Sequence, residues 1–548
     1  MMKYIAKPTQ LLFFFLLFAV ITNAQTLEKQ FDQLLNEKFP ADQPGATALV
    51  AKDGKIIYHK GFGMANLELD VKMQTQMVFE IGSITKQFTA VSILMLMEEG
   101  KLKLDDDIKK FIPDYPTHGH TITIHHLLTH TSGIKSYTSM ESWMPLWRKD
   151  MEPKDMIDFF KGEPMDFAPG TKYLYNNSAY FILGYVIEKA SGMPFDQFLK
   201  TKIFEPLGMK SSLYGSSSKI IKNRASGYQK EESIINTEFL SLTQPYAAGS
   251  IMSTVEDLFI WHQAIQSNKL VKKETINLAF TNHTLNDGKK INYGYGWAID
   301  EIYGSPTIEH SGGIFGYNTN AISLPKENVF VAVFSNTDFI SSSEVSTKMA
   351  ALAIGKPAPE LKDEIQLSPN DLQKFVGLYE FEEGVQRNIT LEDGHLYSQR
   401  VGGQAKFRLI AMKPNLFAYT GELSTIEFMG NGKDINVTFS SRINKSVGKL
   451  TDKKMPVNEE IHIDVETLKQ YVGVYALAPS FDIAITLEDG KLMTQATGQA
   501  KFEIFAKSQT RFFLKVVPAE VEFVKNNDGK FDSIILYQGG RETVAKKK

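Results

Sequence analysis

Residues 83–99 contain neither proline nor glycine, most of them are apolar, and Gly100 follows as a breaker. Such a run predicts a helix that is apolar on nearly all sides, and a helix of that kind is stable only inside a core. A chain carrying it must therefore build its other elements around it. Two polar residues stand at its start, Ser83 and Lys86, three apart and so on one face. At a helix N-terminus the backbone N–H groups point outward and the dipole favours developing negative charge. An ammonium held against a hydroxyl there suits a serine nucleophile. Serine opening a helix is equally an ordinary cap, so the pair acquires meaning only from its company.

The 548 residues exceed one typical domain, and 43% hydrophobic with 22% charged residues is globular composition. A formal net charge of -3, with no basic patch beyond Lys546-Lys547-Lys548, gives no electrostatic basis for binding nucleic acid. The chain has no cysteine, which excludes disulfides, thiol catalysis and Cys-based zinc sites. Lys3 and Lys7 precede an apolar run at 11–21, and Thr22-Asn23-Ala24 follows it. This reads as a cleaved secretory signal over residues 1–24, with an uncleaved anchor as the competing reading. No cysteine follows the run, which removes the lipoprotein option. The expectation is a periplasmic or secreted protein with no membrane attachment after cleavage.

Residues 27–39 have amphipathic helical spacing, and the runs 46–52 and 55–61 flank the hairpin dipeptide Asp53-Gly54. Residues 140–266 read as mostly helical, with a helix over 179–190 and another entered at Ser253, where Glu256 takes the capping-box position. The period then changes to that of strands at 293–300, 307–312, 317–324 and 329–335, closed by a helix at 343–354. The fold class expected is α/β (α+β): one antiparallel sheet assembled from both ends of residues 25–355, flanked by helices, with a helical insertion between.

Residues 356–367 read as a linker, and beyond them the chain repeats itself. Leu372-Gln373-Lys374-Phe375-Val376-Gly377-Leu378-Tyr379 returns 96 positions later as Leu468-Lys469-Gln470-Tyr471-Val472-Gly473-Val474-Tyr475. Ile389-Thr390-Leu391-Glu392-Asp393-Gly394 recurs at 485–490 in the same way. Two copies are too few for a solenoid, and alternating apolar runs with Asp-Gly turns predict two small all-β, barrel-like domains at 368–455 and 456–548.

Five of the eleven histidines fall between His118 and His130. His126 and His130 have the i, i+4 spacing of zinc hydrolases, yet Leu127 stands where the general-base Glu of H-E-x-x-H belongs and no third ligand is signalled. His130 is read instead as a hydrogen bonder organising the loop before Thr131-Ser132-Gly133. Neither metal nor cofactor is expected.

Tyr175 and Asn177 form a Tyr-x-Asn, and His310-Ser311-Gly312-Gly313 lies on an expected strand. Singly, each is an aromatic for the core, a helix cap or a strand residue. Together with Ser83-x-x-Lys86, and in this order, they resemble the serine β-lactamase and penicillin-binding-protein superfamily, in its class C-like branch of D-aminopeptidases and esterases. The resemblance covers about residues 25–355. It implies that Ser83 attacks a carbonyl to give an acyl-enzyme while Lys86 and Tyr175 manage its proton, the phenol being partly ionised by the neighbouring ammonium. It implies also that Asn177 hydrogen-bonds the substrate amide or the lysine. The amides of Ser83 and Gly313 would form an oxyanion hole worth roughly 3–4 kcal/mol per donor. His310, with Gly312, would line the opposite wall.

Many relatives carry Lys-Thr-Gly where this chain has His310-Ser311-Gly312. A histidine of ordinary pKa, near 6.5, is mostly neutral at pH 7, so capture of a penicillin carboxylate should be weak. The reading moves toward a peptidase, amidase or esterase acting on small peptide or small-molecule substrates. A penicillin- or peptide-binding sensor that is acylated without turnover is the alternative. The trailing domains resemble the two small barrels of D-aminopeptidases, an architectural likeness that carries no site.

Overall fold

The computed structural model describes residues 26–548 apart from 383, 404, 454–459, 479–480, 518 and 539–540. The signal expected at residues 1–24 lies outside the described residues, as does the boundary expected between residues 455 and 456. The chain divides into two compact units between Pro357 and Ala358.

In the first unit a six-stranded antiparallel sheet runs in the order Ala298–Ile302, Ser305–Ile314, Tyr317–Leu324, Val329–Ser335, Ala46–Lys52, Lys55–Phe62. Its middle strand Val329–Ser335 is buried at every residue, so both faces are covered. The faces follow from the two-residue period of a strand. Asn320 pairs with Val333 on one face, where its amide donates to Ser346 on the helix Ser342–Ala353. Phe330 and Phe334 point the other way. There Phe330 packs on Phe259 of the helix Val255–Gln266, and Phe334 packs edge-on against Phe79, just ahead of Ser83. The Asp53-Gly54 hairpin forms with φ of 50° and 73°, the left-handed pair that two-residue hairpin loops use.

The central helix spans Thr85–Glu98 and is buried from Thr85 to Leu94 and again at Leu96. Three expectations shift. Ser83 belongs to a 3₁₀ turn, Gly82–Ile84, ahead of the α-helix. The cap of the Val255–Gln266 helix is Thr254, whose hydroxyl accepts from the Asp257 amide, because Ser253 ends a strand. The strand expected from residue 293 starts at Ala298. Gly296, at φ +80°, turns the preceding segment onto the central helix, where a Cβ would stand 2.7 Å from Lys86 O.

The second unit holds two closed barrels of eight antiparallel strands each. The first closes by pairing Gly377–Phe381 with Asn444–Thr451, the second by pairing Gly473–Ala478 with Arg541–Lys547. One interior bond is repeated in both. Tyr379 OH donates to Phe375 O at 3.0 Å, and 96 residues on Tyr475 OH donates to Tyr471 O at 2.7 Å. The segment before each barrel docks alike, Ile365 N on Ala411 O and Ile461 N on Ala506 O, both at 2.9 Å.

Candidate active site

The turn that carries Ser83 lies directly on the strand that carries Gly312 and Gly313. Gly82 has φ +51°, and a Cβ there would meet the backbone N and O of Gly313 at 3.1 Å. At Gly312 a Cβ would stand 2.0 Å from Ile81 O, a clash no side chain survives. Thr319 Oγ1 donates to the same Ile81 O at 2.9 Å and ties turn to strand. The contact brings the backbones of Ser83 and Gly313 side by side, the relation that an oxyanion hole requires. Although Ser83 is in a 3₁₀ turn, residues three apart eclipse there, so Lys86 still faces it.

Lys86 is fully buried. Its Nζ lies 2.9 Å from Ser83 Oγ, 2.9 Å from Asn177 Oδ1 and 2.8 Å from Ala248 O. None of the three is a carboxylate, and burial pushes the amine well below its ordinary pKa. All three partners accept: Nζ donates to Ser83 Oγ, Asn177 Oδ1 and Ala248 O, which fixes the amine against the serine. Asn177 is the first residue of the helix Asn177–Ser191, whose cap Asn176 accepts from the Ala179 amide. With Nδ2 donating to Thr138 Oγ1 at 3.1 Å, its side chain is fixed at both ends.

Tyr175 places its ring 4.8 Å from Lys86 Nζ. Burial of the phenol pushes its pKa up, and a hydrogen bond with Ser83 opposes this only in part. The phenol partly ionised by an ammonium, expected from the resemblance, is therefore corrected: with its pKa raised Tyr175 keeps its proton, while burial lowers the pKa of Lys86. His310 is corrected too. It is buried behind Tyr175, ring centroids 6.0 Å apart, and is not part of the cavity wall. Its Nδ1–H donates to Ser311 O at 2.6 Å, so Nε2 accepts from Tyr293 OH at 2.8 Å. Burial first, then Lys86, pushes its pKa down to about 3, and it is neutral rather than ordinary.

His130 organises a loop, and the loop is the one that presents Tyr175. Its carbonyl accepts from Leu174 N at 3.1 Å and its Nδ1 from Asn176 N at 3.0 Å, bracketing Tyr175. Its ring lies 4.3 Å from that of Tyr175, and its backbone has the left-handed φ of 58°. Asparagine at 130 can accept the left-handed backbone and offer Oδ1 in place of Nδ1. His130→Ala is expected to lower kcat roughly 10- to 100-fold with little change in KM, because a displaced Tyr175 misdirects the proton. His130→Asn is expected to restore most of it in steady-state kinetics. Among the described residues no group of three or more His, Asp or Glu side chains is arranged to hold a metal ion.

Ser83, Asn177 and Gly313 open on a cavity of about 390 Å³ whose walls include Trp143, Leu240 and Phe315. Lys86 and Tyr175 are not among that lining. Sequence reasoning missed Ala248, which acts through its carbonyl and so leaves no trace in residue type, and Thr138, one hydroxyl among many.

A cavity-facing serine with a buried lysine behind it at the head of a central helix, with Tyr-x-Asn and His-Ser-Gly brought to it by a helix and a sheet strand, defines a serine hydrolase of the β-lactamase and penicillin-binding-protein class. Residues 27–356 match the Beta-lactamase family model, and the chain belongs to that family. Residues 457–547 match a domain of unknown function, DUF3471. The chain is 28% identical to penicillin-binding protein 4* of Bacillus subtilis (strain 168) over 95% of its own length and 99% of the relative's. Among solved structures it is similar to the octameric penicillin-binding protein homologue from Pyrococcus abyssi, at 28% identity and a TM-score of 0.53 over 78% of this chain and 99% of that one. It is similar also to a D-stereospecific amidohydrolase from Streptomyces sp., at 25% identity and a TM-score of 0.53 over 60% of this chain and 99% of that one.

Proposed function

We propose that the chain is an exported hydrolase that forms an acyl-enzyme on Ser83 and acts on small peptides or amides, D-amino-acid-containing or cell-wall-derived, with esters as a second substrate class. The observation that carries this is the buried Lys86 amine, 2.9 Å from Ser83 Oγ, also held by two carbonyl acceptors and with its pKa lowered by burial. As Oγ attacks the substrate carbonyl carbon, its proton passes to Nζ, and the carbonyl oxygen takes the charge against the amides of Ser83 and Gly313. The Lys86–Tyr175 pair returns a proton to the departing nitrogen or oxygen. A water then attacks the ester by the same route in reverse, and Ser83 regains its proton. The similarity to a D-stereospecific amidohydrolase supports the substrate class. A neutral His310 where relatives carry lysine argues for weak handling of penicillin carboxylates.

Incubation with a fluorophosphonate and with a labelled penicillin, followed by peptide mass spectrometry, tests the reading. The phosphonate is expected to label Ser83 stoichiometrically and the penicillin slowly. Wild-type protein that takes neither label sinks the proposal, and acylation without turnover turns it into the sensor.

A further inference from the structure

The catalytic cavity has a charge of its own. Asp338 is on its wall, and among the described residues it is the one acidic or basic side chain of the lining. It follows the strand Val329–Ser335, whose Ser335 pairs with Asn318, which in turn pairs with Gly313 of the catalytic strand. Its carboxylate accepts weakly from the Gly316 amide, Oδ2 to N 3.4 Å, which sets it beside the hairpin that ends the catalytic strand. The side chain is exposed, and no Lys, Arg or His among the described residues forms an ion pair with it. Lys230 reaches this neighbourhood, but its Nζ lies over the Phe339 ring, 5.8 Å from the centroid.

The cavity has a direction as well. A leaving group must take its proton from the Lys86–Tyr175 side, and neither residue lines the cavity that opens from Ser83. The cavity therefore receives the acyl half of the substrate. Along it an acyl chain meets Trp143, Leu240 and Phe315, with Asp338 as its only fixed charge. The carboxylate attracts a cation and repels a second anion, and the apolar walls of the cavity focus its field. The aromatic rings add attraction for a cation and none for an anion.

We propose that Asp338 is a specificity-determining residue that selects substrates bearing a cationic group, a protonated or quaternary amine, on the acyl side. This rests on the acyl-enzyme reading above and narrows it. It also supplies a positive reason for the poor fit of anionic acyl groups, separate from the missing lysine at 310. The amine binds as an ion pair to the carboxylate at the hairpin, with its methylenes along the apolar wall, while the carbonyl rests on Ser83.

Three 4-nitrophenyl ester series, each with short to long spacers, test it: ω-trimethylammonio esters, their tert-butyl isosteres and ω-carboxylates. Nitrophenolate release reads the acylation rate. The wild type is expected to favour the cation over the isostere by roughly tenfold or more at the best spacer, and to disfavour the carboxylate. In Asp338→Asn the cation-to-isostere ratio is expected to fall toward one, and in Asp338→Lys the order of cation and carboxylate to invert. A wild-type ratio near one at every spacer overturns the proposal, as does an Asp338→Asn protein that is slower on all esters with its ratio intact. If no ester acylates Ser83, the hydrolase reading fails first and this proposal with it. If neutral esters acylate Ser83 without charge preference, the hydrolase reading stands and this proposal alone is lost.

Discussion

Ser83→Ala is expected to lower turnover by roughly 10⁴-fold or more while the protein stays folded. The catalytic loss is large because the nucleophile is removed outright. The oxyanion donors that remain still polarise the substrate carbonyl, but no positioned nucleophile attacks it. The structural loss is small for a reason visible at the lysine. Nζ keeps its two carbonyl acceptors, Asn177 Oδ1 and Ala248 O, and loses only the serine hydroxyl. Thermal melting is expected to move by no more than the equivalent of about 1 kcal/mol. The same variant should also refuse phosphonate label at position 83. Residual hydrolysis above a tenth of wild type, on purified protein free of contaminating hydrolase, would remove Ser83 from the reaction.

Much of this fold was legible in the chain. The Asp-Gly hairpin, the 96-residue repeat and the all-apolar helix each obey a local rule that tertiary structure had no cause to override. The errors fall where tertiary contact decides. At residues 293–297 strand-like alternation yields to Gly296, which is needed for close approach to the central helix. At Ser83 the helix begins as a 3₁₀ turn because Gly82 must lie on Gly313. The site shows the same division. Residue identities and order pointed to Ser83, Lys86, Tyr175, Asn177 and His310, and the structure gathers all five in one neighbourhood. Their protonation was not legible, since it depends on how completely they are desolvated. Burial lowers the pKa of Lys86 and raises that of Tyr175, against the partly ionised phenol that the resemblance implied, and leaves His310 neutral. His130 announced itself as a loop organiser, but which loop it holds required the bonds to Leu174 and Asn176.

Lys86→Met is the variant that separates a neutral base from a buried ammonium, and it is expected to cost roughly 10³-fold in kcat/KM. Its stability carries the sharper information. Burial holds the folded-state pKa of Lys86 below the value in the unfolded chain, about 10.4. Between those two values the unfolded chain binds a proton that the folded chain does not. Wild-type stability therefore rises with pH across that window, by up to about 1.4 kcal/mol per pH unit from this group, and the rise ends above the unfolded pKa. Methionine binds no proton in either state, so the variant lacks this slope. Losing the donor leaves Asn177 Oδ1 and Ala248 O unpaired at a cost of about 1–3 kcal/mol each, but that cost is the same at every pH and shifts the curve without tilting it. Urea unfolding at several pH values between neutrality and about 10 is expected to find the variant's stability relative to wild type declining steadily as pH rises. A constant difference would mean that Lys86 keeps its proton in the folded protein. The amine could then not receive the proton of Ser83, and the burden of general base would pass to Tyr175.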